Sequence, residues 1–173
     1  MNVLINIFGP STAGKSTVAG LLQERIEGLQ LVDFDVIKRQ IPDYDWQKHA
    51  QIGRDMTIDA LAGALEGNTP ILLLYPPAKD EAEFKRLNSL TEAHGYKMLN
   101  IEITAPKEVL IARYEHRLAN VDPTKKGWKF KTLDEFKTKL EELYYKPQDT
   151  ASFDTSQKNP DEIVNAVMEL LTS

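Results

Sequence analysis

The stretch "GPSTAGKST", residues 9–17, constrains this chain more than any other. It follows the short apolar run "NVLINIF" and precedes a segment in which Val18, Leu21, Leu22 and Ile26 recur at helical spacing. It therefore joins a strand buried on both faces to a helix. Gly9, Gly14, Lys15 and Ser16 fit the pattern G-x-x-x-x-G-K-[ST] without deviation, in the strand–loop–helix context its mechanism requires. Glycines let the backbone wrap a polyphosphate, and amides at the helix N-terminus donate to its oxygens. The expected nucleotide contacts are Gly9, Ser11, Thr12, Ala13, Gly14, Lys15, Ser16 and Thr17. Lys15 is expected to reach the β- and γ-phosphates of ATP, and the Ser16 hydroxyl to ligate Mg²⁺.

Beyond the loop, apolar runs at 2–8, 29–35, 71–75, 96–105 and 151–156 read as strands. Helical patterns occupy 15–27, 47–66, 79–95, 106–118, 132–146 and 161–171, with Thr132 and Glu135 at capping-box spacing. Strands alternating with helices predict a parallel sheet with helices on both faces, that is, an α/β/α sandwich of three layers around five strands. Ligands in such sheets bind beyond the carboxyl ends of the strands, where both the glycine loop and "DFD" at 33–35 fall. A chain of 173 residues suits one domain spanning 1–173. The lysine-rich stretch 120–131 reads as a surface loop.

Several function classes drop out on composition. A net charge of −5 argues against whole-surface binding to a polyanion. The chain has no cysteine, which removes thiolate chemistry and cysteine-ligated zinc, and its three histidines, His49, His94 and His116, are scattered. No apolar run approaches the ~20 residues that span a bilayer, and the N-terminus lacks the charged region of a secretory signal, so a cytoplasmic protein is expected.

The loop resembles the Walker A segment of the small P-loop kinases, the superfamily that holds nucleoside monophosphate, shikimate and gluconate kinases. The likeness extends in element order over nearly the whole chain. It implies the sheet order 2-3-1-4-5 and a helical lid, here around 113–135. "VDFDVIKRQ" is similar to the segment after strand two in shikimate-like, polynucleotide and zeta-toxin-like kinases. That similarity implies that Asp35 meets the acceptor hydroxyl and that Asp33 and Arg39 contact the acceptor. A carboxylate there can orient a hydroxyl and take its proton. Read as an extended segment, 33–35 puts Asp33 and Asp35 on one side, where Asp33 can share a Mg²⁺–water shell with Ser16. The same residues also suit an acidic turn capping a helix. "RYEHR" looks like the lid arginine pair, with Arg113 and Arg117 neutralising the transferring phosphoryl. "FDTSQKNPDEIV", from Phe153, resembles the segment that runs beneath the adenine.

One departure stands out: strand three ends in Tyr75, Pro76 and Pro77 rather than in the Asp that many P-loop proteins use for Mg²⁺. The prolines can shape an acceptor pocket in which Tyr75 stacks on or hydrogen-bonds a ligand, while a tyrosine packed in the core is the commoner reading of that position. Together these features lead to an ATP- and Mg²⁺-dependent phosphotransferase acting on a small-molecule hydroxyl or phosphate. A 5′-hydroxyl polynucleotide kinase and an ATP-binding regulatory module with weak ATPase activity are the alternatives.

Overall fold

A computed structural model describes residues 2–120 and 132–172. The strands are β1 (Val3–Phe8), β2 (Gln30–Asp33), β3 (Ile71–Leu74), β4 (Lys97–Thr104) and β5 (Ala151–Asp154). They form one parallel sheet in the order β2-β3-β1-β4-β5, as the resemblance implied. Every residue of β1 and β3 is buried, as expected of inner strands covered on both faces. Their side chains alternate between two cores. Ile5 and Ile7 join Val18 and Leu22 of α1 (Lys15–Arg25), Leu110 of α5 (Lys107–Asn120), Phe136 of α6 (Leu133–Leu140) and Val164 of α7 (Pro160–Thr172). On the opposite face Leu4, Ile71 and Leu73 meet Leu61 and Leu65 of α3 (Trp46–Leu65) and Leu87 of α4 (Glu81–Ala93).

Two local expectations change. The run 29–35 is not all strand: β2 stops at Asp33, whose carboxylate accepts from the Asp35 amide at 2.7 Å and caps α2 (Phe34–Ile37). Asp33 and Asp35 are thus a helix cap and a first-turn residue, not alternate positions of one strand. The capping side chain competes successfully with the strand ladder, as Asp side chains do at helix starts. The helix predicted over 132–146 begins at its capping box, which forms with both hydrogen bonds, but α6 ends at Leu140.

Tertiary anchors explain the early stop, because residues 144–146 are pulled toward β4 on one side and toward the loop after β3 and α4 on the other. Tyr144 donates to Glu102 on β4 at 2.6 Å, and its ring packs edge-on against Phe8 with centroids 6.2 Å apart. The next residue, Tyr145, donates its amide to the Ala78 carbonyl at 2.9 Å and packs its ring against Phe84. Lys146 returns to Glu102 at 2.7 Å, and Ser152 donates to the same carboxylate oxygen at 2.7 Å. A helix cannot present consecutive side chains to partners on opposite sides, so the segment runs extended as a strap between β4 and the loop after β3.

Glu102 is the strap's pH-sensitive anchor. Burial pushes its carboxyl upward, but hydrogen bonds from Lys146, Tyr144 and Ser152 outweigh that effect and hold it below the usual carboxylate range. A depressed carboxyl contributes stability above the unfolded-state value and loses it as pH falls through the folded one. Glu102→Gln is therefore expected to cost about 1–3 kcal/mol at neutral pH, and the deficit relative to the wild type should shrink on acidification below about pH 4. Urea melts of both proteins between neutral and acid pH measure this, and a deficit that grows on acidification would contradict it.

Candidate active site

The loop 9–14 emerges from β1 and delivers Lys15 to the first turn of α1. Gly9 has φ 131, and a Cβ there would sit 2.1 Å from the Ile103 carbonyl oxygen of β4. Gly14, at φ 101, is the N-cap of α1, and it offers no side-chain cap. The first turn also lacks an acidic residue, so the exposed amides and the positive end of the helix await an anion. Lys15 folds back over the loop and donates to the carbonyls of Gly9 at 2.9 Å and Pro10 at 2.7 Å. Burial lowers its pKa from 10.5 to about 8, partly offset by the carboxylates of Asp35 and then Asp33. An anion arriving above Lys15 would restore the charge that burial disfavours.

Two cavities flank this loop. On one side a space of about 590 Å³ is lined by Thr12, Ala13, Gly14, Arg113 and the segment Thr155–Pro160. Arg113 is locked in its wall, donating to the Thr155 hydroxyl at 2.8 Å, the Thr155 carbonyl at 3.2 Å and the Thr12 carbonyl at 3.3 Å. Thr155 in turn donates to the Ala13 carbonyl at 2.9 Å. This network ties the loop after β5, expected to run beneath a base, to the phosphate loop. Arg117 lies exposed one turn further along α5 and lines neither cavity. Of the two arginines expected to act together, Arg113 lines the smaller cavity, whereas Asp35 lines the larger one. Residues 121–131 of the expected lid, including Lys125, Lys126, Lys129 and Lys131, lie outside the described residues.

On the other side a larger cavity of about 700 Å³ gathers Gly9, Ser11, Lys15, Ser16, Asp33 and Asp35. Burial raises the Asp33 carboxyl above its ordinary value, an effect opposed by the amides of Asp35 and Val36. Asp35 is exposed and ion-paired with Lys38 at 2.5 Å. Arg39 is exposed and does not line this space; its neighbour Lys38, only 3% exposed, is the cation turned inward. The i, i+3 spacing from Asp35 to Lys38 was visible in the sequence and points to such a pair.

The segment after β3 forms the far wall. Tyr75, Pro76 and Pro77 all line the cavity. Arg54 of α3 lies 8% exposed behind them, with one guanidinium arm on Glu83 at 2.6 Å and the other on the Pro77 carbonyl at 3.1 Å. Its flat face covers the Tyr75 ring at 5.2 Å. No sequence signal marked Arg54, because Glu83 is 29 residues away on another helix. Tyr44, between α2 and α3, and Trp46, the first residue of α3, complete the wall and were likewise missed. Leu143 of the strap also lines the space and is 97% exposed.

Solved structures share this arrangement of sheet, loop and helices. Shikimate kinase from Aquifex aeolicus aligns over 98% of this chain and 96% of its own, with a TM-score of 0.62 and 21% identity. The chain has the small P-loop kinase fold. A gluconokinase from Sinorhizobium meliloti matches 95% of this chain and 88% of its own, at TM-score 0.63 and 19% identity. The APS kinase of Mycobacterium tuberculosis, solved with AMPPNP and APS, covers 99% and 98% at TM-score 0.64 and 15% identity. No protein-family model matches the chain, and no curated protein matches it in sequence. Among the described residues no helix is long and apolar enough to cross a membrane.

Proposed function

We propose that this P-loop kinase-fold protein is an ATP-dependent phosphotransferase that moves the γ-phosphoryl of ATP to a small-molecule hydroxyl. The observation that carries this reading is the convergence of Lys15, Ser16, Asp33 and Asp35 on one cavity at the mouth of the uncapped loop. The smaller cavity, walled by Arg113 and Thr155–Pro160, suits the base and ribose, so the triphosphate would run over the loop toward Asp35. Arg113 then belongs to nucleotide positioning, holding the base-side loop against the phosphate loop.

In the reaction an acceptor oxygen forms a bond to the γ-phosphorus as the bond from that phosphorus to the β,γ-bridging oxygen breaks. Asp35 takes the acceptor proton, and ADP leaves. Lys15 and the loop amides stabilise negative charge on the transferring group, which is the main electrostatic contribution a protein makes to this chemistry. The Ser16 hydroxyl and the Asp33 carboxylate form a hard oxygen pair suited to Mg²⁺, which keeps most of its water. Bound there, the ion would supply further charge neutralisation. Burial raises the Asp33 carboxyl when no cation is near, the expected behaviour of a group that a cation would return to its ionised form.

The direct test uses ATP radiolabelled in the γ-phosphate. Label recovered in an organic product, in a Mg²⁺-dependent and acceptor-dependent manner, is the expected result. Label released only as inorganic phosphate, at a rate no acceptor changes, would sink the transferase reading and favour an ATP-binding regulatory module.

A further inference from the structure

The acceptor side of the large cavity is rich in rings and poor in available charge. Phe34, Tyr44, Trp46, Tyr75, Pro76 and Pro77 line it. Among the described residues, each cation in or directly behind this wall already has a partner. Lys38 is buried, pairs with Asp35 at 2.5 Å, and holds its ammonium 5.6 Å from the centroids of both Phe34 and Tyr44. Arg54 uses one arm for Glu83, the other for the Pro77 carbonyl and its face for Tyr75. Pulling Arg54 onto a second anion would leave the partly buried Glu83 carboxylate unpaired, and pulling Lys38 away would give up its pair with Asp35. At the rim Lys107 pairs with Glu141, Lys139 pairs with Glu142, and Lys79 donates to Gln51 at 3.2 Å. Lys15 remains, and it serves the nucleotide phosphates.

One polar group on this wall does ask for a partner. The Tyr44 hydroxyl is, among the described residues, the one fully buried side-chain polar atom of a cavity-lining residue that lacks a hydrogen bond. Buried hydroxyls are almost always satisfied, so a ligand atom is its natural complement. Burial, followed by the nearby Asp35 charge, raises its pKa above the ordinary phenol value, so it is a neutral donor and acceptor.

We propose that the acceptor is an uncharged, ring-bearing alcohol, nucleoside-like in size, that lies against these aromatic side chains and hydrogen-bonds the Tyr44 hydroxyl. This rests on the phosphotransferase reading and narrows it. Flat rings stack on aromatic walls without needing a counter-ion, and a cavity of about 700 Å³ accommodates a ligand of that size. Sugar acids and phosphate or sulfate monoesters would bring an anion to a wall whose buried cations, Lys38 and Arg54, are already paired with carboxylates, and discrimination arises from that unpaired charge.

The test follows ADP release from Mg²⁺–ATP with matched acceptors: nucleosides against their monophosphates, and aromatic diols against the corresponding carboxylates, alongside shikimate and gluconate. The expected result is a kcat/KM at least about tenfold higher for the uncharged member of the productive pair. Tyr44→Phe should raise the acceptor KM roughly tenfold, the worth of one buried hydrogen bond, while the KM for ATP stays unchanged. A preferred anionic acceptor, or an acceptor KM indifferent to Tyr44→Phe, overturns the proposal and leaves the kinase reading standing. ATP binding with no ADP release above the acceptor-free rate, for any member of the panel, overturns both.

Discussion

Lys15→Ala is expected to lower kcat/KM for phosphoryl transfer by at least about a thousandfold, some 4 kcal/mol of transition-state stabilisation. Lys15 donates to backbone carbonyls at the loop, those of Gly9 and Pro10, rather than to a carboxylate. Under the proposed function those contacts would be exchanged for phosphate oxygens, so the loss would fall on the phosphate interaction itself. The variant should fold well. A lysine whose pKa is lowered by burial to about 8 carries its charge at a cost to the folded state below that pH, so removing the amine relieves a penalty. Equal or higher Tm together with lost turnover is the expected pair of results. Turnover within tenfold of the wild type would remove Lys15 from the chemistry.

Asp35→Asn should separate binding from transfer. The Asp35 side chain is 61% exposed and lies across the loop from the cavity walled by Arg113 and Thr155. ATP affinity should therefore hold, while transfer falls by about 10²–10⁴, the usual contribution of a positioned general base. The asparagine oxygen can still accept from Lys38, so the aromatic cage of that lysine should survive the change. Calorimetry with a non-hydrolysable ATP analogue, set beside steady-state transfer, reads both quantities. Unimpaired transfer would assign proton removal elsewhere, with Asp33 the first alternative because it faces the same cavity.

Much of the site was legible because its parts are contiguous. The phosphate loop needs glycines, a lysine and a hydroxyl within one strand-to-helix turn, so residues 9–17 declare it without reference to the rest of the chain. The capping box at Thr132 and Glu135 is equally local, and it forms as read. Asp33 shows where even local reading divides. Strand alternation and helix capping both suit it, and the hydrogen bond to the Asp35 amide decides for the cap.

The acceptor wall shows the opposite case. Arg54 lies in a helix whose pattern gave no reason to single it out, and Glu83, Pro77 and Tyr75 reach it only because β3 and α4 fold against α3. Arg113, read as a lid arginine, is held in the wall of the smaller cavity by Thr155, 42 residues away. Tyr144 and Tyr145 read as helix until Glu102 and Ala78 pulled them in different directions.

The sequence by itself determined the alternating parallel architecture and the phosphate cradle, since periodicity, capping and backbone wrapping depend on neighbours along the chain. Only the tertiary structure decided which charges are spent on one another and which buried hydroxyl beside the large cavity has no partner. Those outcomes follow from side chains brought together by the strand order β2-β3-β1-β4-β5, and burial then sets the cost of leaving any of them unpaired.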